Sequence, residues 1–177
     1  MPAVRPCELP AHALLRRHLE GGGYADGYVT EVALPVSQAH YVEAFYTTWL
    51  FKLERRLLAW FVNKPSTDEG ARELAGGSRS DFAAWHVEAC EPAQLLMADF
   101  MGRTRSWLMC EAAGDGAATR LYFGSAVLPI TDRRTGERTM SRGFRLLLGF
   151  HKLYSRALLA AAARRVVRRA DLAAARA

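Results

Sequence analysis

The apolar and polar positions are most regular in the C-terminal run from Ser141 to about Arg169. At about 100° per residue, Arg145, Gly149, Lys152 and Arg156 fall on one narrow stripe. Leu147, His151, Tyr154 and Leu158 fall opposite it, with Phe144 and Phe150 beside them. A surface helix usually has one apolar stripe and a broad polar side. Here only a thin line suits water, so the pattern predicts a long helix gripped by the rest of the chain. Ser141 suits its N-cap, and Arg164, Arg165, Arg168 and Arg169 suit the negative end of its dipole. Gly149 is its weak point, because glycine in mid-helix costs about 1 kcal/mol against alanine. It either lets the backbone approach a strand or marks the true start of the helix.

Upstream, residues 1–23 mix Pro, His and Arg and end in Gly21-Gly22-Gly23. Leu14, Leu15 and Leu19 suggest one short, loosely attached helix there. Tyr28, Val29, Val32 and Leu34 predict a first strand within Tyr24–Val36, stopped at Pro35. Ser37 then caps a helical run in which Val42, Phe45, Trp49, Leu53, Leu57 and Trp60 recur at helical spacing. Lys52, Arg55 and Arg56 mark its wet side, Thr47-Thr48 divides it in two, and Asn63-Lys64-Pro65 stops it. A short helix follows at Thr67–Leu74, closed by Gly76-Gly77.

Four strands come next, at Phe82–Cys90, Gln94–Met101, Arg105–Ala112 and Thr119–Leu128. The breaks at Glu91-Pro92, Gly102-Arg103-Thr104 and Gly114-Asp115-Gly116 allow only antiparallel hairpins, since parallel pairing needs a long crossover. Pairing about these turns puts Leu96, Ala98, Phe100, Leu108, Cys110, Leu121, Phe123 and Val127 on one, buried, face. Asp99, Trp107, Glu111, Arg120 and Tyr122 fall on the other, with Glu111 opposite Arg120. In the first strand of the block, Trp85, Val87 and Ala89 point inward and His86 and Glu88 outward. A slip of one residue would reverse every side chain. Residues 129–140 form an exposed connection to the last helix.

Half of the 177 residues are hydrophobic and 24% are charged, the balance of one globular domain with a sizeable core. The net charge of +6 owes much to the arginines after Ala163, so the basicity belongs to the C-terminal end. No aromatic residues interleave with those arginines, and no specific nucleic-acid partner is expected. The three cysteines have no metal spacing. The chain opens on no signal peptide, and no uncharged apolar run reaches the ~18 residues of a membrane span. A cytoplasmic location is expected, with no cofactor and no metal.

The order of strand, helix pair, antiparallel strand run and long C-terminal helix resembles the helix-grip fold of the START/SRPBCC superfamily. That superfamily includes polyketide cyclases and lipid-transfer domains, and the text is most similar to an uncharacterised bacterial family within it. The residues that carry the resemblance are Tyr24-Ala25-Asp26, Trp49 with Arg55, Trp85-His86-Val87, Leu95-Leu96, Trp107-Leu108, Thr119-Arg120-Leu121 and Phe150-His151. Two small strands that such proteins place after the helix pair are replaced by Pro65–Gly77. The resemblance implies an α+β fold, a curved antiparallel sheet wrapped around the last helix with a largely apolar cavity between them. It implies no particular reaction. The helix-grip domain is expected over 24–169, with 1–23 loosely attached and 170–177 a basic tail.

The expected activity is binding of a small hydrophobic or amphipathic ligand in that cavity. His151 and Tyr154, one turn apart, are the polar anchors, and Leu147, Trp85, Phe100, Leu108, Phe123, Trp49 and Phe45 are the walls. The plainer reading makes His151 a core histidine satisfied by a strand, and the aromatic residues mere filling. A cyclase- or aromatase-like enzyme using His151 and Tyr154 is the alternative, although no catalytic set can be assigned. Cys110 lies in the sheet core as a small inert hydrophobe, and Ser125 has no evident His/Asp partners. Asp99, Glu111 and Arg120 read as solvated cross-strand partners. A third reading is a homodimer through the outer sheet face, where Trp107 and Tyr122, with Met97 and Met109, would form an exposed apolar patch.

Overall fold

Ser37 accepts a hydrogen bond from the His40 amide at 3.3 Å and so starts helix α1, Gln38–Tyr46. Thr47 and Thr48 then turn their hydroxyls back onto the carbonyls of Glu43 and Phe45. Thr48 Oγ1 also accepts from the Phe51 amide, which opens helix α2 (residues 49–53). The expected break between two helices is where the structure has it. Thr67 caps α3, Asp68–Ala75, whose C-cap is Gly76.

The computed structural model describes residues 3–19, 23–53, 66–131, 138–139 and 142–175, those at 130–131, 138–139 and 142–148 by backbone alone. The expected roles of Arg55, Arg56, Leu57, Trp60, Asn63, Lys64, Pro65 and Ser141 lie outside the described residues, as do the side chains of Phe144, Arg145 and Leu147.

The strands are β1 (Arg5–Pro6), β2 (Tyr24–Val32), β3 (Asp81–Phe82), β4 (Trp85–Glu91), β5 (Gln94–Asp99), β6 (Thr104–Ala113) and β7 (Ala118–Val127). They form one seven-stranded sheet in the order β1-β2-β7-β6-β5-β4-β3, antiparallel throughout. A separate ribbon pairs β8 (Ile130–Thr131) with β9 (Arg138–Thr139). The 33-residue helix α4, Arg142–Ala174, closes the chain. This is the α+β helix-grip arrangement, a curved antiparallel sheet with a long C-terminal helix.

Helix α4 buries Ser155, Leu158, Leu159, Ala162, Ala163 and Val166. His151 and Tyr154 flank that stripe half-buried, and Lys152 and Arg156 face solvent. The stripe continues well past Leu158 because α4 packs on α1 as well as on the sheet. Arg165 Nε donates to Thr47 Oγ1 at 2.8 Å, and Arg169 pairs with Glu43 at 2.9 Å. The arginines expected to be a solvated end are therefore partly ties to α1. The helix also runs through much of the expected 170–177 tail. No described helix is long and apolar enough to cross a membrane.

Two sequence expectations about the sheet are corrected. In β5, Leu95 and Met97 face α4 together with Leu108, while Leu96 pairs with Trp107 on the other face. Leu96 and Ala98 are thus one position out of the expected register. In β4 a bulge at Glu88 shifts the register between Val87 and Ala89, so Trp85 and Val87 pack inward but Ala89 packs outward.

The outer face differs most. Trp107 and Met109 are fully buried and Tyr122 nearly so, because Ala13, Leu14 and Leu15 pack over them with Leu9 and Cys7 at the margin. The segment expected to be loosely attached is a strap across the sheet. Its β1 pairs with β2, the Cys7 amide donates to the Gly27 carbonyl, and His18 meets Glu88 at 2.7 Å. Gln94 Oε1 accepts from both Trp107 Nε1 and the Leu14 amide, each at 2.9 Å. The apolar patch proposed for dimerisation through Trp107 and Tyr122 is therefore covered by the chain itself. Close approach needs glycine at two facing positions, Gly27 and Gly124. A Cβ on Gly27 would stand 2.9 Å from Leu9, and one on Gly124 2.9 Å from Leu15.

Candidate functional site

The period of two along β2 carries Tyr24, Asp26 and Tyr28 to the face that meets α4. Ladder pairing sets Asp26 opposite Ser125 of β7. Helix α4 then brings His151 above the pair. Asp26 becomes the centre of a polar cluster on that face, with its side chain 11% exposed and that of His151 23% exposed.

The distances define how the protons lie. Tyr24 and Tyr28 each donate a phenol hydrogen bond to Asp26 Oδ2 at 3.1 Å, and Ser125 Oγ donates to Oδ1 at 2.8 Å. His151 Nε2 lies 2.7 Å from Ser125 Oγ and 3.7 Å from Asp26 Oδ2, and its ring meets Tyr24 edge-on. Burial alone would raise the Asp26 pKa. The imidazole of His151 and the hydroxyls of Ser125 and Tyr24 outweigh it and hold the carboxyl below its ordinary value. Burial and the neighbouring carboxylate act the other way on the phenols, raising Tyr24 and pushing Tyr28 up to about 12. The cluster is thus one carboxylate beside two phenols that keep their protons.

An ionised carboxylate only accepts, so Ser125 gives its single proton to Asp26, and its oxygen must accept from His151 Nε2–H. A nucleophilic triad would use one ring nitrogen for serine and the other for the acid. Here the same nitrogen faces both, so the arrangement fixes Ser125 without activating it. Cys110 offers no nucleophile either, because burial pushes its thiol up to about 11. Beside the cluster lies a groove of about 410 Å³ bounded by Cys7, Tyr24, Asp26, Tyr28, Lys152 and Arg156. Among the described residues, no group of His, Cys, Asp or Glu side chains could hold a metal ion.

The expected ligand residues separate into groups. His151 joins the cluster, and Tyr154 lies half-buried one turn on, its ring stacked on Phe150. Phe45, Leu108 and Phe123 are buried in one cluster, with the rings of Phe45 and Phe123 5.0 Å apart and Trp85 packed at the margin. Two residues do not line the interior at all. Phe100 is 54% exposed, just beyond the end of β5, and Trp49 is 71% exposed, at the start of α2. The side chain of Leu147 lies outside the described residues.

Asp26 and Ser125 were not among the expected site residues, for they stand 99 positions apart with no motif to join them. The available signal was the alternation Tyr24, Asp26, Tyr28, which puts one ionisable residue among inward-facing strand positions.

No family model and no curated protein matches the chain. Among solved structures, it is similar to CalU16 from Micromonospora echinospora. The solution NMR structure of that protein aligns at 14% identity and a TM-score of 0.36, covering 93% of this chain and 74% of the other. Its crystal structure aligns at 16% identity and a TM-score of 0.32, covering 97% and 96%. Neither likeness bears on what this chain binds.

Proposed function

We propose that this protein binds a small hydrophobic or amphipathic molecule between the inner face of the sheet and α4, with His151, Ser125 and Asp26 holding its polar group. The observation that carries this reading is the ionised, nearly buried carboxylate of Asp26 on the sheet face that meets the helix. Desolvating a charge costs several kcal/mol before its partners compensate, and an apolar side chain would fill the same place more cheaply. A charged group kept at such a position is a candidate for function. An apolar contact is at hand on the neighbouring turn of α4, where half-buried Tyr154 stacks on Phe150. The proton arrangement favours holding over reaction, since His151 Nε2 donates where a base would have to accept.

Titration of Nile red, a neutral apolar probe, into wild type and His151→Phe tests the reading. The substitution keeps a ring and removes the polar group. Binding is expected to weaken about tenfold while the thermal midpoint moves by only a few degrees. A destabilised variant that binds the probe as wild type does would make the cluster a structural tie and nothing more.

A further inference from the structure

Charge and apolar exposure coincide on α4. From Pro129 onward the chain carries twelve Lys and Arg against three Asp and Glu, whereas the first 128 residues carry twelve against fifteen. The positive excess therefore belongs to α4 and the connection before it. Ion pairs do not alter that sum, and a field of one sign draws opposite charge from beyond contact distance. Within α4 itself, Arg142–Ala174, the sequence holds one acidic residue, Asp171.

The helix buries Leu158, Leu159, Ala162 and Val166 on one side. Phe150, Leu153 and Ala157, at spacings of three and four, share the opposite side and are exposed, the first two at 66% and 67%. A Cβ on Gly149, next to them, would meet nothing within 4 Å. A surface helix normally turns polar residues outward at such positions. Lys152 and Arg156, both exposed, run along the margin one turn apart. Large apolar side chains beside long cationic ones suit the boundary of a bilayer. There the apolar groups enter the acyl layer while the cations reach phosphate.

We infer that the outer side of α4 docks on an anionic phospholipid surface, with Phe150 and Leu153 inserted and Lys152 and Arg156 on the headgroups. The contact is peripheral, for no described helix is long and apolar enough to cross a membrane. A second copy is the poorer occupant, since a two-fold contact through α4 would bring two basic helices together. Single-stranded nucleic acid asks for stacking platforms, and Leu153 offers none. This surface does not depend on the ligand reading of the Asp26–His151 cluster.

Cosedimentation with vesicles tests the inference, using equimolar phosphatidylcholine and phosphatidylglycerol against phosphatidylcholine alone. The proteins are wild type, Phe150→Gln/Leu153→Gln, Lys152→Gln/Arg156→Gln, Trp49→Gln and His151→Phe. The four α4 side chains replaced in pairs are exposed, so the fold should persist, and circular dichroism verifies that. Wild type is expected to bind the anionic vesicles about tenfold more tightly than the neutral ones or better. Each α4 double variant should lose about tenfold. Trp49→Gln, which removes an aromatic ring 71% exposed on α2, and His151→Phe should lose nothing. Equal binding to both vesicle types would overturn the proposal, and so would full binding by Phe150→Gln/Leu153→Gln. A loss in Trp49→Gln as large as in that variant would place the contact elsewhere and overturn it too. Loss in His151→Phe alone would mean that lipid enters between sheet and helix, overturning this surface and leaving the other reading intact. Binding to polyglutamate without binding to vesicles would make an acidic protein the partner and overturn it as well.

Discussion

Gly124→Ala probes the contact between the strap and the sheet. A Cβ at this position would stand 2.9 Å from the Asp26 carbonyl oxygen, from Leu15 Cδ2 and from Trp107 Cε3, where ordinary contact begins near 3.4 Å. None of the three can yield easily. The carbonyl belongs to the β2/β7 pairing, Leu15 is fully buried, and the indole is fixed by its bond to Gln94. Overpacking of this kind costs about 1–3 kcal/mol, and the stiffer unfolded chain returns about 0.4–1 kcal/mol. A net loss of about 1–2 kcal/mol follows, which for a chain of this size lowers the thermal midpoint by about 2–8 °C. Gly149→Ala provides the opposite sign. That glycine is exposed within α4, and a Cβ there meets nothing within 4 Å. Its replacement should gain about 1 kcal/mol of helix propensity and raise the midpoint by about 2–4 °C. Calorimetric melting of the two variants beside wild type decides the matter. A Gly124→Ala protein melting at or above wild type would refute the close contact, and a Gly149→Ala protein melting lower would refute the open helix surface.

Asp26, with its pKa held down in the fold, adds stability above the unfolded value of about 3.9, and that stability is lost as pH falls through the folded value. Asp26→Asn should therefore flatten the fall of the melting midpoint below about pH 4, and an identical acid limb in wild type and variant would deny the carboxylate this role. Gln94→Leu leaves the Trp107 indole and the Leu14 amide without their acceptor. It should cost about 1–3 kcal/mol in a urea titration, and a neutral outcome would mean that the strap is held by packing alone. Deleting residues 1–18 uncovers Trp107, Tyr122, Leu96 and Met109. The shortened protein should associate in light scattering where the full chain shows less tendency to, and an unchanged mass would show that the outer face needs no cover.

The hairpins, the split at Thr47-Thr48, the cap at Ser37 and the short helix closed by Gly76-Gly77 were legible because turn and cap residues act locally. The register of β5 was not. Leu95, Leu96, Met97 and Ala98 form an unbroken apolar run, and the structure shows why, since both faces of that strand are buried. Alternation can be read only where one face is wet. The bulge at Glu88 hid the parity of Ala89 in the same way. Trp107 was assigned to the correct face and the wrong environment, because nothing in residues 1–23 announces that they lie over the sheet. The Asp26 cluster escaped for a different reason: strands distant in sequence assemble it, and Ser125 gains its meaning only from the residue it pairs with.

The strap is fastened to partners far along the chain. Leu14 and His12 reach Gln94 across 80 and 82 positions, and His18 reaches Glu88 across 70. The strands from β4 to β7, by contrast, join their neighbours through short turns. Closing long loops is entropically slower than closing short ones, so the meander assembles from near contacts and the strap settles on it afterwards. It leaves the ribosome before the strands it covers and finds its seat after them. Until then the apolar face around Trp107 is open to other chains, and any misassembly of this protein belongs to that interval of synthesis and not to the finished fold.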